Sequence, residues 1–291
     1  MSAERRYDRT AEDLGNIVNL GHLNLTVPDQ LTATAFYITG LGLTRDPYMN
    51  TGTNNMWANV GRSQFHLPTD RIAQRFRGTI GLIVPDLDAL ERRLSAVAPE
   101  LAGTQFAFER HGRRVDVTCP WGNRFACHAP DRVRFGPFTC GMAYLDFTVP
   151  AGTAPGIVRF YREIMDAPSH LVAGEAAIAR VQVGERQYFD FRESAHVPEN
   201  DGHHVQIYTT NFSGPYERLR ALDLISQESN QHQYRFEQIV DLDSGALLYV
   251  IDHEVRSATH PMYARPLVNR NPALSNAYYA QGYEDEPWMA P

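Results

Sequence analysis

The sequence predicts an α+β protein built from four βαβββ units taken as tandem pairs. Three observations carry that prediction: a repeat between the halves of the 291-residue chain, polar/apolar alternation in short segments, and cap residues leading from those segments into amphipathic stretches.

The repeat is read first. His22-Leu-Asn-Leu-Thr-Val aligns with Tyr144-Leu-Asp-Phe-Thr-Val, and each is followed by Phe-Tyr in a helical stretch, at Phe36-Tyr37 and Phe160-Tyr161. Each half also holds a weaker second copy, beginning at Thr79-Ile-Gly-Leu-Ile-Val and at His204-Val-Gln-Ile-Tyr-Thr. In a strand, neighbouring side chains point to opposite faces. Leu23, Leu25 and Val27 therefore oppose His22, Asn24 and Thr26; Leu145, Phe147 and Val149 oppose Tyr144, Asp146 and Thr148; Val205 and Ile207 oppose His204, Gln206 and Tyr208. Asp29, Asp86 and Ser213 stand where a helix N-cap is needed, and after Asp86 the residues Leu87, Leu90 and Leu94 share one helical face. With helices on the apolar side of each sheet, the other side becomes a concave polar surface suited to a small molecule.

Composition narrows the function. With 43% apolar residues, 14 Phe and 14 Tyr, the chain has ample material for packed cores. Its 34 acids against 27 bases leave a net charge of −7, spread along the chain, which argues against nucleic acid or an anionic membrane as partner. No apolar stretch approaches the ~18–20 residues of a membrane helix, and the N-terminus is charged where a secretory signal is apolar, so a cytoplasmic protein is expected. Cys119, Cys127 and Cys140 lack CxxC spacing and read as ordinary thiols. A Gly-x-Ser-x-Gly elbow, a Walker loop and a His-Glu-x-x-His helix are all missing, leaving hydrolase, nucleotide-triphosphatase and zinc-protease readings without support.

The motifs Gly21-His-Leu-Asn-Leu-Thr-Val, Gly40-Leu-Gly-Leu, Val60-Gly-Arg-Ser-Gln-Phe-His-Leu-Pro, Ile83-Val-Pro-Asp-Leu-Asp-Ala-Leu-Glu-Arg-Arg-Leu and Cys119-Pro-Trp-Gly-Asn-Arg-Phe-Ala-Cys-His resemble the vicinal oxygen chelate superfamily, over about residues 16–256. That superfamily includes glyoxalase I, bleomycin resistance proteins, fosfomycin resistance enzymes and type I extradiol dioxygenases. The resemblance implies two glyoxalase-like modules with concave polar sheets, 16–130 and 138–256, followed by an extended aromatic tail, 257–291. It also implies metal positions on the first and last strand of each unit. These fall on His22, His66, Thr79 and Ala126 in the first module, with Gln64 and His128 on shared faces, and on Tyr144, Asp190, His204 and Tyr249 in the second. Neither set is complete. The best trios are His22, His66 and His128 in one module and His204, Asp190 and a tyrosinate in the other, with His22, His66 and His204 as the metal candidates for Fe, Mn, Ni or Zn.

Function follows in two versions. In the first, the chain is an enzyme of glyoxalase or dioxygenase type acting on a small oxygenated metabolite, aromatic or not, by metal-assisted dioxygenase, lyase or isomerase chemistry. Its catalytic candidates are His204, Tyr249, Tyr208 and Asp190, and its substrate-binding candidates are Tyr144, Asp146, Gln206 and His232. Ordinary extradiol ring cleavage is disfavoured, because Tyr144 and Tyr249 stand where a histidine and a glutamate are needed. In the second version it is a metal-free binding or sequestering protein resembling bleomycin resistance proteins, its phenols stacking on a ligand. His253 and Glu254 are expected at the pocket rim. Tyr263, Tyr278, Tyr279, Tyr283 and Trp288 are expected to pack along the body, over a pocket mouth, or on a second copy, since the resemblance implies a homodimer.

Overall fold

A computed structural model of the chain describes residues 8–49 and 52–270. The first unit runs through β1 (Ile17–Asn24), α1 (Gln30–Ala33, continued by a π-helical stretch Thr34–Gly40), β2 (Thr44–Arg45), β3 (Asn55–Val60) and β4 (Ser63–Pro68). The second comprises β5 (Gly78–Ile83), α2 (Leu87–Val97), β6 (Ala107–His111), β7 (Arg114–Thr118) and β8 (Arg124–His128). A short α3 (Arg132–Phe135) leads to the third unit: β9 (Gly141–Pro150), α4 (Ala154–Ile164), β10 (Ser169–Val172), β11 (Ile178–Gly184) and β12 (Gln187–Ser194). The fourth is β13 (His204–Thr209), α5 (Ser213–Ala221), β14 (Ile225–Asn230), β15 (Gln233–Val240) and β16 (Leu247–Ser257).

Local signals behave as their chemistry dictates. Asp29 accepts from the Thr32 backbone N–H at 2.8 Å and Asp86 from that of Ala89 at 2.9 Å. Ser213 does not cap α5; it is the helix's first residue, and Asn211 accepts from the Gly214 N–H at 3.1 Å instead. All three cysteines are buried and unpaired, and no helix among the described residues is long and apolar enough to cross a membrane.

Among the described residues, sixteen strands form two eight-stranded sheets, in the orders β14-β15-β16-β13-β1-β4-β3-β2 and β10-β11-β12-β9-β5-β8-β7-β6. Each sheet is closed at its centre by an antiparallel pair, β1 with β13 and β5 with β9. The first unit therefore shares a concave face with the fourth, and the second with the third. This corrects the expectation that each half of the sequence builds its own concave sheet. The first strands of all four units present similarly patterned edges, so local sequence does not choose among them; the hydrogen-bonded register from Ile17 opposite Thr209 to Asn24 opposite His204 records the choice.

Aromatic packing behind the sheets follows the chain order instead. Phe36, Tyr37 and Phe65 pack against Phe125 of the second unit, and Tyr161 of α4 packs against His253 while Phe160 packs against Phe236 of the fourth. The first and second units thus share core contacts, as do the third and fourth, while the first and fourth, and the second and third, share concave faces.

Candidate metal centre

Four strands of the first sheet converge on one spot. β1 supplies His22, β4 supplies His66 and β13 supplies His204; one ligand atom from each imidazole lies within 4.8 Å of the others, so the three could hold a metal ion. The Nε2 atoms of His22 and His204 are 3.4 Å apart. Glu254, on β16, brings Oε2 to 3.6 Å from His204 Nε2. Donors on one ion with bonds of ~2.1 Å in tetrahedral array are about 3.4 Å apart, so these separations fit adjacent ligands.

The protonation states agree. Burial, followed by the charges of His204, Arg256, His66 and Arg235, holds His22 well below its ordinary value. Burial and then Arg256 and Arg235 lower His66 to about 4; burial and then Arg235 lower His204 to about 2. All three are neutral at pH 7 and offer lone pairs, and His66 Nε2 is buried without a hydrogen-bond partner. That orphaned nitrogen is a positive sign of fit, because a buried acceptor left unmatched costs about 1–3 kcal/mol. Trp57 stacks on His66 with ring centres 4.0 Å apart and meets His22 edge-on, fixing both rings. Glu254 is oriented by Arg235 and Arg256, the latter 2.7 Å from Oε1, and Arg235 also binds Asp252 at 2.6 Å. Such outer contacts set the direction of a ligand carboxylate.

Beside His22 opens a cavity of about 460 Å³ lined by Gln64, Gln206, Tyr208, Arg256 and residues 262–267. Gln206 stands opposite His22 in register, and both polar atoms of its amide lack protein partners. Its side chain crosses Gly21, where β1 carries an extra residue; a Cβ there would lie 1.8 Å from Gln206 Oε1. Tyr208 packs 5.0 Å from Tyr263, ring centre to ring centre, and burial raises its phenol above the usual range. The segment beyond β16 crosses the cavity mouth. Arg265 grips buried Asp46 through both guanidinium nitrogens at 2.7 and 3.2 Å, Asn59 donates to Val268 O at 3.0 Å, and Asn269 bonds to Gly61 through both of its amide atoms. Tyr278, Tyr279, Tyr283 and Trp288 lie outside the described residues.

The expected site residues are thus redistributed. His22, His66, His204, Gln206 and Tyr208 meet on the first sheet. Tyr249 does not: it lies on the opposite side of β16, buried against Phe147 and Phe191 with Arg77 over its ring. His253 points the same way, accepting from the Tyr161 hydroxyl at 2.6 Å instead of rimming the pocket. His232 sits at an exposed hairpin end near Thr259 and His260, away from the cavity lining. Tyr144, Asp146 and Asp190 belong to the second sheet, as does His128, so neither trio expected within one half assembles. By register, Asp146 faces Thr79 as Asn24 faces His204, which makes Tyr144, Asp190, Thr79 and Ala126 the counterparts of His22, His66, His204 and Glu254.

Glu254 is the donor that counting four residues from Gly245 misses. The available signal is the alternation along β16, where Asp252, Glu254 and Arg256 share a face and Ile251, His253 and Val255 share the other.

Among solved structures, glyoxalase I from Zea mays superposes with a TM-score of 0.57 at 13% identity, covering 83% of this chain and 92% of that one. A Bacillus subtilis protein carrying the provisional name of dioxygenase gives 0.57 at 12% identity, covering 84% and 86%. No family model matches the sequence, and no curated protein does. Two eight-stranded sheets made of four βαβββ units, with these structural neighbours, show that the chain has the tandem fold of the vicinal oxygen chelate superfamily.

Proposed function

We propose that the protein is a metal-dependent enzyme whose single metal site is the His22, His66, His204 and Glu254 cluster, acting on a small oxygenated substrate held in the adjoining cavity. The observation that carries this reading is the convergence of three neutral imidazoles and a carboxylate, one of the imidazole nitrogens buried with no other partner. A divalent metal bound there would supply Lewis acidity toward substrate oxygens.

The chain's own residues do the rest. Gln206 offers an unspent donor and acceptor next to His22, fitting a substrate carrying both an oxygen acceptor and a hydroxyl. Tyr208 keeps its proton at pH 7, so its hydroxyl on the cavity wall is available to donate to a substrate oxygen. Arg256 fixes Glu254 and places positive charge beside Tyr208, so a substrate gaining negative charge is favoured over a neutral one. The strap at residues 262–267 forms one wall of the cavity. The likeness to Zea mays glyoxalase I and to the Bacillus subtilis protein makes glyoxalase- and dioxygenase-type chemistry the first classes to assay.

One observation favours the alternative of a metal-free binding protein: Glu254 already carries two guanidinium partners, which neutralise the carboxylate a cation would need. Metal content decides between them. Protein purified without chelator or tag metal should carry near-stoichiometric Fe, Mn, Ni or Zn, lost in His22→Ala, His204→Ala and Glu254→Ala. No metal in the wild type after reconstitution under reducing conditions would sink the metal-dependent enzyme and leave the binding protein.

A further inference from the structure

The second concave sheet carries a cavity of about 620 Å³ for which the metal site has no use. It is not a second metal centre. Thr79 and Ala126 replace His204 and Glu254, and the ring of Tyr144 lies across Gly81, so close that a Cβ there would meet it at 2.2 Å. The Tyr144 hydroxyl is engaged by His128 Nε2 at 2.8 Å.

What fills the walls instead is arginine. Arg114, Arg124, Arg134 and Arg192 line the cavity, and Arg180 joins them around a smaller pocket that shares Arg134, Tyr144, Asp146 and Arg192. Three of the five have carboxylate partners: Arg114 with Asp116 at 2.7 Å, Arg180 with Asp190 at 2.7 and 2.8 Å, and Arg192 with Asp146 at 2.8 and 3.2 Å. Arg124 and Arg134 have none among the described residues. Arg134 is aligned over the Phe135 ring at 4.7 Å, with Nη1 3.5 Å from His128 Nδ1. In a chain of net charge −7, two guanidiniums without carboxylate partners among the described residues line one concavity, together with Glu109, the ion pairs Arg114–Asp116 and Arg192–Asp146, and the hydroxyls of Thr79 and Thr118. A planar guanidinium fork matches the two oxygens of a carboxylate or phosphate, and a concave wall strengthens the field it feels.

We propose that this cavity is a second, metal-independent ligand site that binds a small organic anion through Arg124 and Arg134. The ion pairs of Arg180 and Arg192 stiffen its floor, and Thr79 with Thr118 supplies uncharged hydrogen bonds. The ligand carries a carboxylate or a phosphate, and its binding does not depend on the first sheet's donors.

The test is calorimetric titration of the metal-free full chain at low ionic strength, with inorganic phosphate in one arm and succinate in the other. Binding in either arm is expected, weakened tenfold or more in Arg124→Gln/Arg134→Gln and unchanged in His204→Ala. Both arginines are exposed, so their replacement leaves the core intact; Thr118→Glu, which puts a negative charge into the same wall, should weaken binding as well. The arm that binds identifies the oxyanion. Silence in both arms overturns the proposal. So does binding that survives the double substitution and Thr118→Glu, or binding lost in His204→Ala, which would place the anion on the first sheet.

Discussion

On the first sheet the residue facing Asn24 across the central strand pair is His204; on the second, the residue facing Asp146 is Thr79. The two concave faces share strand order, register and a closing antiparallel pair, yet one gathers three imidazoles and a carboxylate while the other gathers five arginines. The scaffold therefore sets where side chains point, and a few positions at fixed register decide which donors or charges each concavity gathers. Positive charge that an ion would bring to the first face is built covalently into the second.

The sharpest way to break that contrast is to remove donors from one face at a time. His204→Ala or Glu254→Ala should weaken Zn²⁺ or Mn²⁺ binding at least 100-fold, about 2.7 kcal/mol, in competition titrations with a chelating dye. Tyr144→Phe and Asp190→Asn, at matching positions on the second sheet, should leave it unchanged. Equal losses on both faces would erase the distinction.

Acid titration separates the backs of the sheets from their faces. Burial lowers His253 to about 3, so the folded protein keeps it neutral while the unfolded chain, near the ordinary value of ~6.5, takes up a proton. Its contribution to stability is complete above pH ~6.5 and is lost as pH falls toward 3, at about 1.4 kcal/mol per unit. Urea denaturation of metal-free protein should show about 2 kcal/mol of stability lost between pH 6.5 and 5 on this account, and His253→Phe should lose correspondingly less over the same interval. An identical pH slope in the two proteins would refute the assignment.

Gly81→Ala probes the ring that occupies the second face. The added Cβ must displace Tyr144 and should cost on the order of 1–3 kcal/mol in thermal or chemical unfolding, with metal binding on the first sheet unaffected. The smallest effect is expected at the strap. Arg265→Ala removes the bidentate grip on Asp46, whose carboxyl burial pushes up but whose bonds to Arg265 and to the Tyr48 and Met49 N–H groups hold it below its ordinary value. Stability should fall by about 1 kcal/mol, because Asp46 keeps its bonds to Gln64 and to the Tyr48 and Met49 N–H groups, but limited proteolysis near residues 262–267 should speed up clearly. Unchanged cleavage would mean that the Asn59 and Asn269 contacts suffice to hold the segment.

The repeat makes the four units legible, because strand alternation around His22, Tyr144 and His204 is written in local sequence. Which unit sits beside which is not, because β1 could pair with any strand of the same pattern, and only the packed whole selects β13. His22, His66 and His204 are readable as donors from their polar-face positions. Glu254 falls at the rim when the count from Gly245 assumes a regular strand, whereas β15 and β16 slip register twice, near Val250 and Leu247, and the count lands on Tyr249 in the core. The arginine-lined cavity has no short motif at all: its guanidiniums come from β7, β8, α3, β11 and β12, and meet only through the fold.

Because the first sheet joins strands from both ends of the folded body, its donors belong to segments made at very different times during synthesis. His22 and His66 emerge early, His204 much later, and Glu254 only after nearly all of the sixteenth strand. An interrupted chain that stops before residue 254 has imidazoles but no closing carboxylate, and one that stops before residue 204 has half a cluster. On that order the candidate metal cluster is completed only once most of β16 has been made. The second sheet, drawn wholly from residues 78–194, can assemble while the final strands are still being made.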